Sequence, residues 1–193
     1  NASLGRKLGL TGKGRCNVTN ESSEEEFFEK FGSGGSFLRN AFAKFFVPDL
    51  KEFFEKRGLR LKTERQGRIF PMTDSSVSII DVLKRDLKQL GVDVHLSATI
   101  RQIIVRSETE LSVILSDGQD VRAKKVIVAT GGASYPQTGS TGDGFHMARE
   151  LGHSICELQP GLVALETHET FVKELQGLTL INVRVVFSSG KKE

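Results

Sequence analysis

The chain has 193 residues, a formal net charge of +3 and 38% hydrophobic residues, which is typical of a soluble globular protein and not of a disordered one. No apolar run approaches the roughly 18 residues that a membrane-spanning helix needs. The two cysteines lie far apart and fit neither a disulfide framework nor a zinc site. These features exclude membrane-spanning, zinc-stabilised and disulfide-stapled classes, and they favour a reducing, cytoplasmic compartment.

The stretch TGKGRCNVTN, residues 11–20, is short, glycine-spaced and basic. It lacks the glycine and hydroxyl positions of a phosphate-binding P-loop and the third glycine of a dinucleotide fingerprint. The amides of Gly12 and Gly14, with the cation of Arg15, would still favour an anion such as a diphosphate. Cys16 beside Arg15 is expected to have some thiolate character. A redox-active cysteine is the weaker alternative, and a plain tight turn is the other.

Phenylalanines are concentrated between residues 27 and 54, where apolar residues recur at steps of three and four, which predicts helix. Pro48 is expected to separate two short helices and to lie in the first turn of the second, which Gly58 would end. The recurring positions are Phe42, Phe45, Phe46, Leu50, Phe53 and Phe54. This stripe could line a cofactor, but a helical core is the more common role of such a face.

Two further elements follow in the middle of the chain. The segment RLKTERQGRIF predicts a small hairpin with its turn at Gly67. Residues 73–91 predict a helix, with capping residues at 73–76 and Gly91 as its end. One face of this helix is expected to carry Ile80, Leu83, Leu87 and Leu90.

The second half of the chain is predicted to begin with β-strands. Residues 92–107 alternate as strands do, and Asp117-Gly118 predicts a hairpin turn. Residues 125–130 are continuously apolar apart from their ends, as in a buried parallel strand. The whole therefore predicts an α/β layer with an inserted antiparallel β-meander.

The glycine-rich stretch at residues 131–144 follows this predicted strand and precedes a helix that Gly152 would end. Ligands of open α/β sheets bind at the carboxyl ends of the strands. The length and glycine content of the loop therefore favour a ligand site over a plain strand-to-helix connection.

Residues 36–70 form a basic block. A solvated face is the simpler interpretation, and a nucleic-acid-binding module is the alternative. Its candidate phosphate contacts are Arg39, Lys44, Arg57, Arg60 and Arg65.

Three ordered motifs carry a family resemblance: GRKLGLTGKGRCNVTN, GRIFP and VIVATGGASYPQTGSTGDGFHMARELGH. Together they resemble the HI0933-like, BaiN-type family of NAD(P)/FAD-dependent oxidoreductases, from Leu4 to about Val163. The N-terminal dinucleotide fingerprint and the C-terminal closing motif of that family are missing. We therefore expect the chain to be an internal piece of a longer flavoprotein.

The resemblance implies a fold and a cofactor. It implies a partial two-dinucleotide-binding-domain, glutathione-reductase-like domain that binds FAD over residues 1–163, and the start of a β-rich insert domain at 164–193. NAD(P)H is the candidate electron donor. The substrate would be a small molecule or ribosomal RNA, since family members are linked to bile-acid reduction and to reduction of ribosomal RNA uridine.

Carried over position by position, the resemblance implies cofactor contacts at Arg6, Lys7, Leu8, Gly12, Gly14, Arg15, Cys16, Asn17, Ile100, Ala129, Thr130 and Gly131. It implies a place near the substrate at Arg68, Pro71 and Tyr135. It identifies no catalytic acid or base and no metal ligand.

Three hypotheses therefore stand. The first is a flavoenzyme that transfers a hydride between a reduced nicotinamide or a substrate C–H and FAD. The second is an RNA-binding or RNA-modifying module that uses the basic block. The third is an inactive fragment, which we expect to self-associate through an exposed sheet edge.

Overall fold

In a computed structural model of the chain, the described residues are 1–161, 168–178, 180, 183, 184 and 186. They belong to two compact units, Asn1–Ile155 and Cys156–Glu193. The first unit combines helices with small antiparallel sheets, which agrees with the predicted α/β class. No helix in the described part of the chain is long and apolar enough to cross a bilayer. The predicted domain boundary at 163/164 lies outside the described residues.

The α-helices of the first unit are mostly short. They are α1 (Arg6–Leu10), α2 (Glu24–Phe31), α3 (Arg39–Phe42), α4 (Val47–Glu55), α5 (Ser76–Gln89) and α6 (Asp143–Glu150). Local signals explain their bounds. Ser23 and Glu26 form a capping box at the start of α2, and the Ser75 hydroxyl caps α5. Pro48 lies in the first turn of α4, as predicted.

The strands form two three-stranded antiparallel sheets. They are β1 (Thr19–Asn20), β2 (Leu61–Thr63), β3 (Arg68–Pro71), β4 (Ile100–Ser107), β5 (Glu110–Leu115) and β6 (Asp120–Ala123). The first sheet has the order β1-β3-β2, with the predicted turn at Gly67, and the second is the meander β4-β5-β6. Both predicted hairpins are confirmed, and Gly118 has the positive φ of 90° that its turn requires.

Two predicted strands are wrong. Residues 92–99 form no strand before β4 begins at Ile100. The predicted buried parallel strand at 125–130 is irregular, and its Ile127 side chain is 90% exposed. The physical reason is that a parallel strand needs neighbouring strands on its edges, and no strand of the described residues pairs with this segment.

The core of the first unit lies between α4, α5 and the residues just before β1. It consists of Cys16, Phe54, Leu59, Ile79 and Val82. The face that α5 buries is therefore Ser76, Ile79 and Val82. The predicted face was wrong in part: Ile80 and Leu87 are half-buried, whereas Leu83 and Leu90 are exposed.

The phenylalanine stripe is partly core. Phe54 is buried, and the rings of Phe27, Phe42 and Phe46 contact one another with centroids 5.0 to 5.7 Å apart. Phe45, however, is 49% exposed. Leu50 and Phe53 pack against the core cluster that contains Phe54, so the helical-core interpretation holds for these members of the stripe.

The second unit is described only in part. A single 3₁₀ turn spans Phe171–Lys173 among its described residues. The predicted β-rich insert at 164–193 falls largely outside the described residues.

Candidate functional site

A cavity of about 660 Å³ lies within the first unit, between α1 and the start of α6. We call it the α1–α6 pocket. Its lining combines segments that are far apart in sequence: Asn1, Gly5 to Leu8, Ala98 to Ile100, Ala129 to Gly131, Thr138 to Thr141, Asp143 and Met147. The volume is within the range of roughly 300–1,000 Å³ that small-molecule and cofactor sites occupy.

Seven of the predicted cofactor contacts line this pocket. They are Arg6, Lys7, Leu8, Ile100, Ala129, Thr130 and Gly131. They come from α1, from the start of β4 and from the irregular segment before the glycine-rich loop. The structure thus brings together three sets of residues that the resemblance implied separately.

The lining is polar and carries a net positive charge. Its cationic side chains are Arg6, which is exposed, and Lys7, which is half-buried. Asp143 at the start of α6 supplies one carboxylate, and Met147 closes the apolar side. Hydroxyl groups at Thr99, Thr130, Thr138, Ser140 and Thr141 complete the lining. This donor set suits a ligand that is anionic at one end and hydroxylated elsewhere.

A backbone hydrogen bond joins the two ends of the glycine-rich loop, residues 131–142. The amide of Gly142 donates to the carbonyl of Gly132 across 3.2 Å, and a 3₁₀ turn spans Pro136–Thr138. Gly131 has a φ of 81°, and a Cβ there would lie 3.0 Å from the Ser140 hydroxyl. Glycine is therefore required at 131 both by the backbone conformation and by the close approach.

Lys7 joins α1 to this loop. Its ammonium donates to the carbonyl of Ser134 at 3.1 Å, to the Ser134 hydroxyl at 3.2 Å and to the Ser140 hydroxyl at 3.0 Å. Ser140 is 3% exposed, so this contact reaches a buried part of the loop.

A second contact holds the loop from the other side. The side-chain amide of Asn1 donates to the carbonyl of Thr138 at 3.1 Å. Arg6 in turn donates to the side-chain oxygen of Asn1 at 3.3 Å. Arg6 forms no ion pair with any carboxylate in the described part of the chain, so its guanidinium is not held by a carboxylate of the protein.

The remaining predicted cofactor contacts lie elsewhere. Gly12, Gly14, Arg15, Cys16 and Asn17 do not line the α1–α6 pocket. They form a loop that packs on β3, where a Cβ at position 12 would lie 3.0 Å from the ring of Phe70. The structure therefore divides the predicted site residues into two groups.

Arg15 of this loop belongs to an ion-pair cluster. Its guanidinium lies 2.9 Å from a Glu64 carboxylate oxygen and 3.3 Å from one of Asp74, and it covers the Phe70 ring at 4.0 Å. Lys62 pairs with the same two carboxylates. We call these four charged residues, Arg15, Lys62, Glu64 and Asp74, the arginine cluster.

Cys16 is a buried thiol. Its side chain is 2% exposed, and burial raises the pKa of the thiol above its ordinary value, against a smaller opposing hydrogen bond with Thr11. The expected thiolate character was wrong, because burial raises the pKa of the Cys16 thiol. The guanidinium of Arg15 pairs with Glu64 and Asp74.

The predicted substrate-side residues are on different segments. Arg68 and Pro71 lie in β3, and Pro71 is buried there. Tyr135 lies in the glycine-rich loop, 62% exposed and with a left-handed φ of 58°. No hydrogen bond or ring contact in the described part of the chain joins Tyr135 to either of them.

Several lining residues were missed from the sequence. They are Asn1, Gly5, Ala98, Thr99, Thr138 to Thr141, Asp143 and Met147. The hydroxyl-rich TGSTGDG run, inside a loop already singled out, was a signal for Thr138 to Asp143. Nothing in the sequence pointed to Asn1.

Comparison with known proteins places these residues in a family context. The family model "HI0933-like protein Rossmann domain" matches residues 1–183. The chain is 33% identical over 163 residues to the 3-dehydro-bile acid delta(4,6)-reductase of Clostridium scindens, covering 84% of the chain and 39% of that protein. It is 29% identical over 185 residues to the ribosomal RNA dihydrouridine synthase of Escherichia coli, covering 96% of the chain and 45% of that protein.

A more distant similarity reaches another reductase. The chain is 27% identical over 154 residues to the probable fumarate reductase Ifc3 of Shewanella frigidimarina, covering 68% of the chain and 26% of that protein. The chain thus spans less than half the length of each of these relatives.

Proposed function

The chain belongs to the HI0933-like family, and from that premise we propose that it contributes FAD binding to an oxidoreductase, with the nucleotide half of FAD in the α1–α6 pocket. One observation carries the proposal. Seven cofactor contacts that the family resemblance implies, in three separate segments, line one cavity of about 660 Å³.

The residues of the pocket suit a dinucleotide. Arg6 offers a cation to a diphosphate, and Gly131, where a Cβ would lie 3.0 Å from the Ser140 hydroxyl, allows the glycine-rich loop to fold back against the pocket lining. Asp143 can only accept hydrogen bonds when ionised, so it suits a ribose hydroxyl. The donor set therefore fits the nucleotide half of FAD.

The chemistry follows from the cofactor class. FAD, when bound, would supply a ring that exchanges a hydride with a reduced nicotinamide or a substrate C–H. The residues of this chain would bind and orient it. We propose NAD(P)H as the donor, as the family resemblance implies. We propose a small molecule as the substrate, in keeping with the name of the Clostridium scindens relative. The glutathione-reductase-like arrangement belongs to the same proposal and is supported by the three family motifs.

The test is FAD affinity, measured by titration of the apo-protein. Replacing Arg6 by Ala should weaken binding roughly ten- to hundredfold, the range for loss of a hydrogen bond to a charged group. Arg122→Ala is the matched control, because Arg122 lies in β6 and does not line the pocket. Equal affinity of the Arg6 variant and the control would refute the assignment of the pocket.

Ribosomal RNA is the second candidate substrate, favoured by the name of the Escherichia coli relative and by the basic block. Two members of the block are already engaged: Arg57 pairs with Asp86, and Arg39 lies 4.6 Å from the Phe28 ring. Arg60 is exposed and is the better phosphate contact.

An RNA role requires that a ribosomal RNA stem-loop bind with steep salt dependence and that Arg60→Ala reduce this dependence. Salt-independent binding would exclude it.

A further inference from the structure

The two cations of the α1–α6 pocket differ in what they contact. We infer that Lys7 is a positioning residue that fastens the glycine-rich loop over the pocket through Ser134 and Ser140, and that Arg6 alone carries the direct contact to an anionic ligand. This inference rests on the proposed function, since it assigns roles within the proposed FAD pocket.

The donor count supports the role of Lys7. An ammonium group has three N–H donors and no acceptor. Lys7 has three acceptors within 3.0 to 3.2 Å, all on the glycine-rich loop. Its donors are therefore used within the protein, and a phosphate could reach the ammonium only by displacing one of these contacts.

The position of the acceptors supports it further. Ser134 and Ser140 stand on either side of the 3₁₀ turn at Pro136–Thr138, so a single ammonium ties the two ends of that turn together. Ser140 also lies against Gly131, where a Cβ would be 3.0 Å from its hydroxyl. Fixing Ser140 therefore fixes the approach of the loop to Gly131, which lines the pocket.

Arg6 has the opposite properties. It is exposed, and its one described hydrogen bond goes to the neutral side chain of Asn1 at 3.3 Å. A guanidinium has five donors, so several remain for a ligand. Arg6 is thus the cation of the pocket with both charge and donors available.

The test is a double-mutant cycle. Lys7→Met and Ser140→Ala are made singly and together, and Arg6→Met is combined with Ser140→Ala as the matched control. FAD affinity is measured for each variant, and amide hydrogen exchange at Thr138, Gly139 and Gly142 is measured without FAD. Amides of β5 are the internal reference for global stability.

If Lys7 acts through the serines, the double variant should bind FAD about as weakly as Lys7→Met alone, because both changes break the same contact. Lys7→Met should also speed exchange of the loop amides roughly tenfold or more, with β5 unchanged. The Arg6→Met and Ser140→Ala effects should add, since Arg6 acts on the ligand.

Two results would overturn the inference. One is unchanged loop exchange in Lys7→Met, and the other is additive loss of FAD affinity in the Lys7 and Ser140 double variant. If Lys7→Met does not fold, Ser140→Ala replaces it. Unchanged exchange of the loop amides in Ser140→Ala would then overturn the inference. If the unmodified protein does not bind FAD, the proposed function is wrong. The exchange measurement, which is made without FAD, still tests whether Lys7 holds the loop.

Discussion

The α1–α6 pocket and the arginine cluster both hold a cation from the first motif of the chain, yet the two cations have different electrostatic surroundings. Lys7 donates to a carbonyl and two hydroxyl groups, which are neutral, so its charge remains beside the pocket. Arg15 donates to the carboxylates of Glu64 and Asp74. With Lys62, the arginine cluster contains two cations and two carboxylates and is neutral.

The difference shows that a basic, glycine-spaced motif does not by itself identify an anion site. What matters is whether the acceptors of each cation are charged. An anionic ligand is attracted to the pocket, where Arg6 and Lys7 outnumber Asp143, and gains little from the neutral arginine cluster. Two matched pairs of variants and one further variant test the structural side of this comparison.

The largest effect is expected at Phe70, which is 1% exposed and lies under both Gly12 and Arg15. Phe70→Ala should lower the free energy of unfolding by about 3–5 kcal/mol, because it leaves a cavity beneath the loop. Phe37 is 88% exposed, so Phe37→Ala should change it by less than about 0.5 kcal/mol. Urea denaturation measures both. Similar values for the two variants would mean that the loop does not depend on Phe70.

A smaller effect is expected from the glycines of the same loop. Gly12 and Gly14 have positive φ values of 58° and 86°, so an alanine is strained at either. Only at Gly12 would a Cβ also crowd neighbours, at 3.0 Å from Phe70 and from the Asn17 amide. Gly12→Ala should therefore destabilise the protein by about 1–3 kcal/mol more than Gly14→Ala.

The Gly14 variant also tests the sequence-based assignment. A Cβ at Gly14 meets no atom within 4 Å, so the protein leaves this space open. Loss of FAD affinity in a Gly14→Ala variant that is still folded would restore the Gly12–Asn17 loop to the cofactor site, as the family resemblance implies.

The smallest effect concerns the pH dependence of the arginine cluster. The hydrogen bond from Lys62 is the main cause that lowers the pKa of Asp74 below its ordinary value of 3.8. Stability from this depressed pKa is present above pH 3.8 and is lost as the pH falls through the folded-state pKa. Asp74→Asn should thus be less stable than the unmodified protein at a pH of about 6, and the difference should shrink as the pH falls below 3.8. A constant difference across this range would contradict the ion-pair account.

Local features of the fold could be predicted from the sequence, because the residues that determine them are neighbours. The hairpin turn at Asp117-Gly118 needs only a positive φ and an Asp side chain that accepts from the amide of Gln119. The starts of α4 and α5 likewise follow from Pro48 and Ser75, whereas the helices end at Glu55 and Gln89, two to three residues before the predicted Gly58 and Gly91. These elements appear where the sequence predicts them.

Features that depend on distant partners could not be predicted. In α5, apolar residues recur at helical spacing both through Ile79 and Val82 and through Leu83 and Leu90, so periodicity does not say which face packs. The segment 125–130 has strand composition, but its state depends on pairing with other strands.

The candidate site likewise depends on contacts between residues that are distant in sequence. The family motifs pointed to Lys7 and to the glycine-rich loop, but the contact between them joins residues 127 to 133 positions apart. The neutralisation of Arg15 likewise depends on Glu64 and Asp74, which are 49 and 59 positions away. Sequence patterns named the residues, and only their spatial neighbours decided what each cation does.

The central claim is that the α1–α6 pocket receives the nucleotide half of FAD, and amide hydrogen exchange with and without FAD tests it most directly. The account predicts slower exchange on FAD binding at amides of the lining, including those of Ile100, Gly131 and Thr141. It predicts a smaller change at Glu64 and Asp74 of the arginine cluster. Binding of FAD with no change in exchange at the pocket lining would contradict the account.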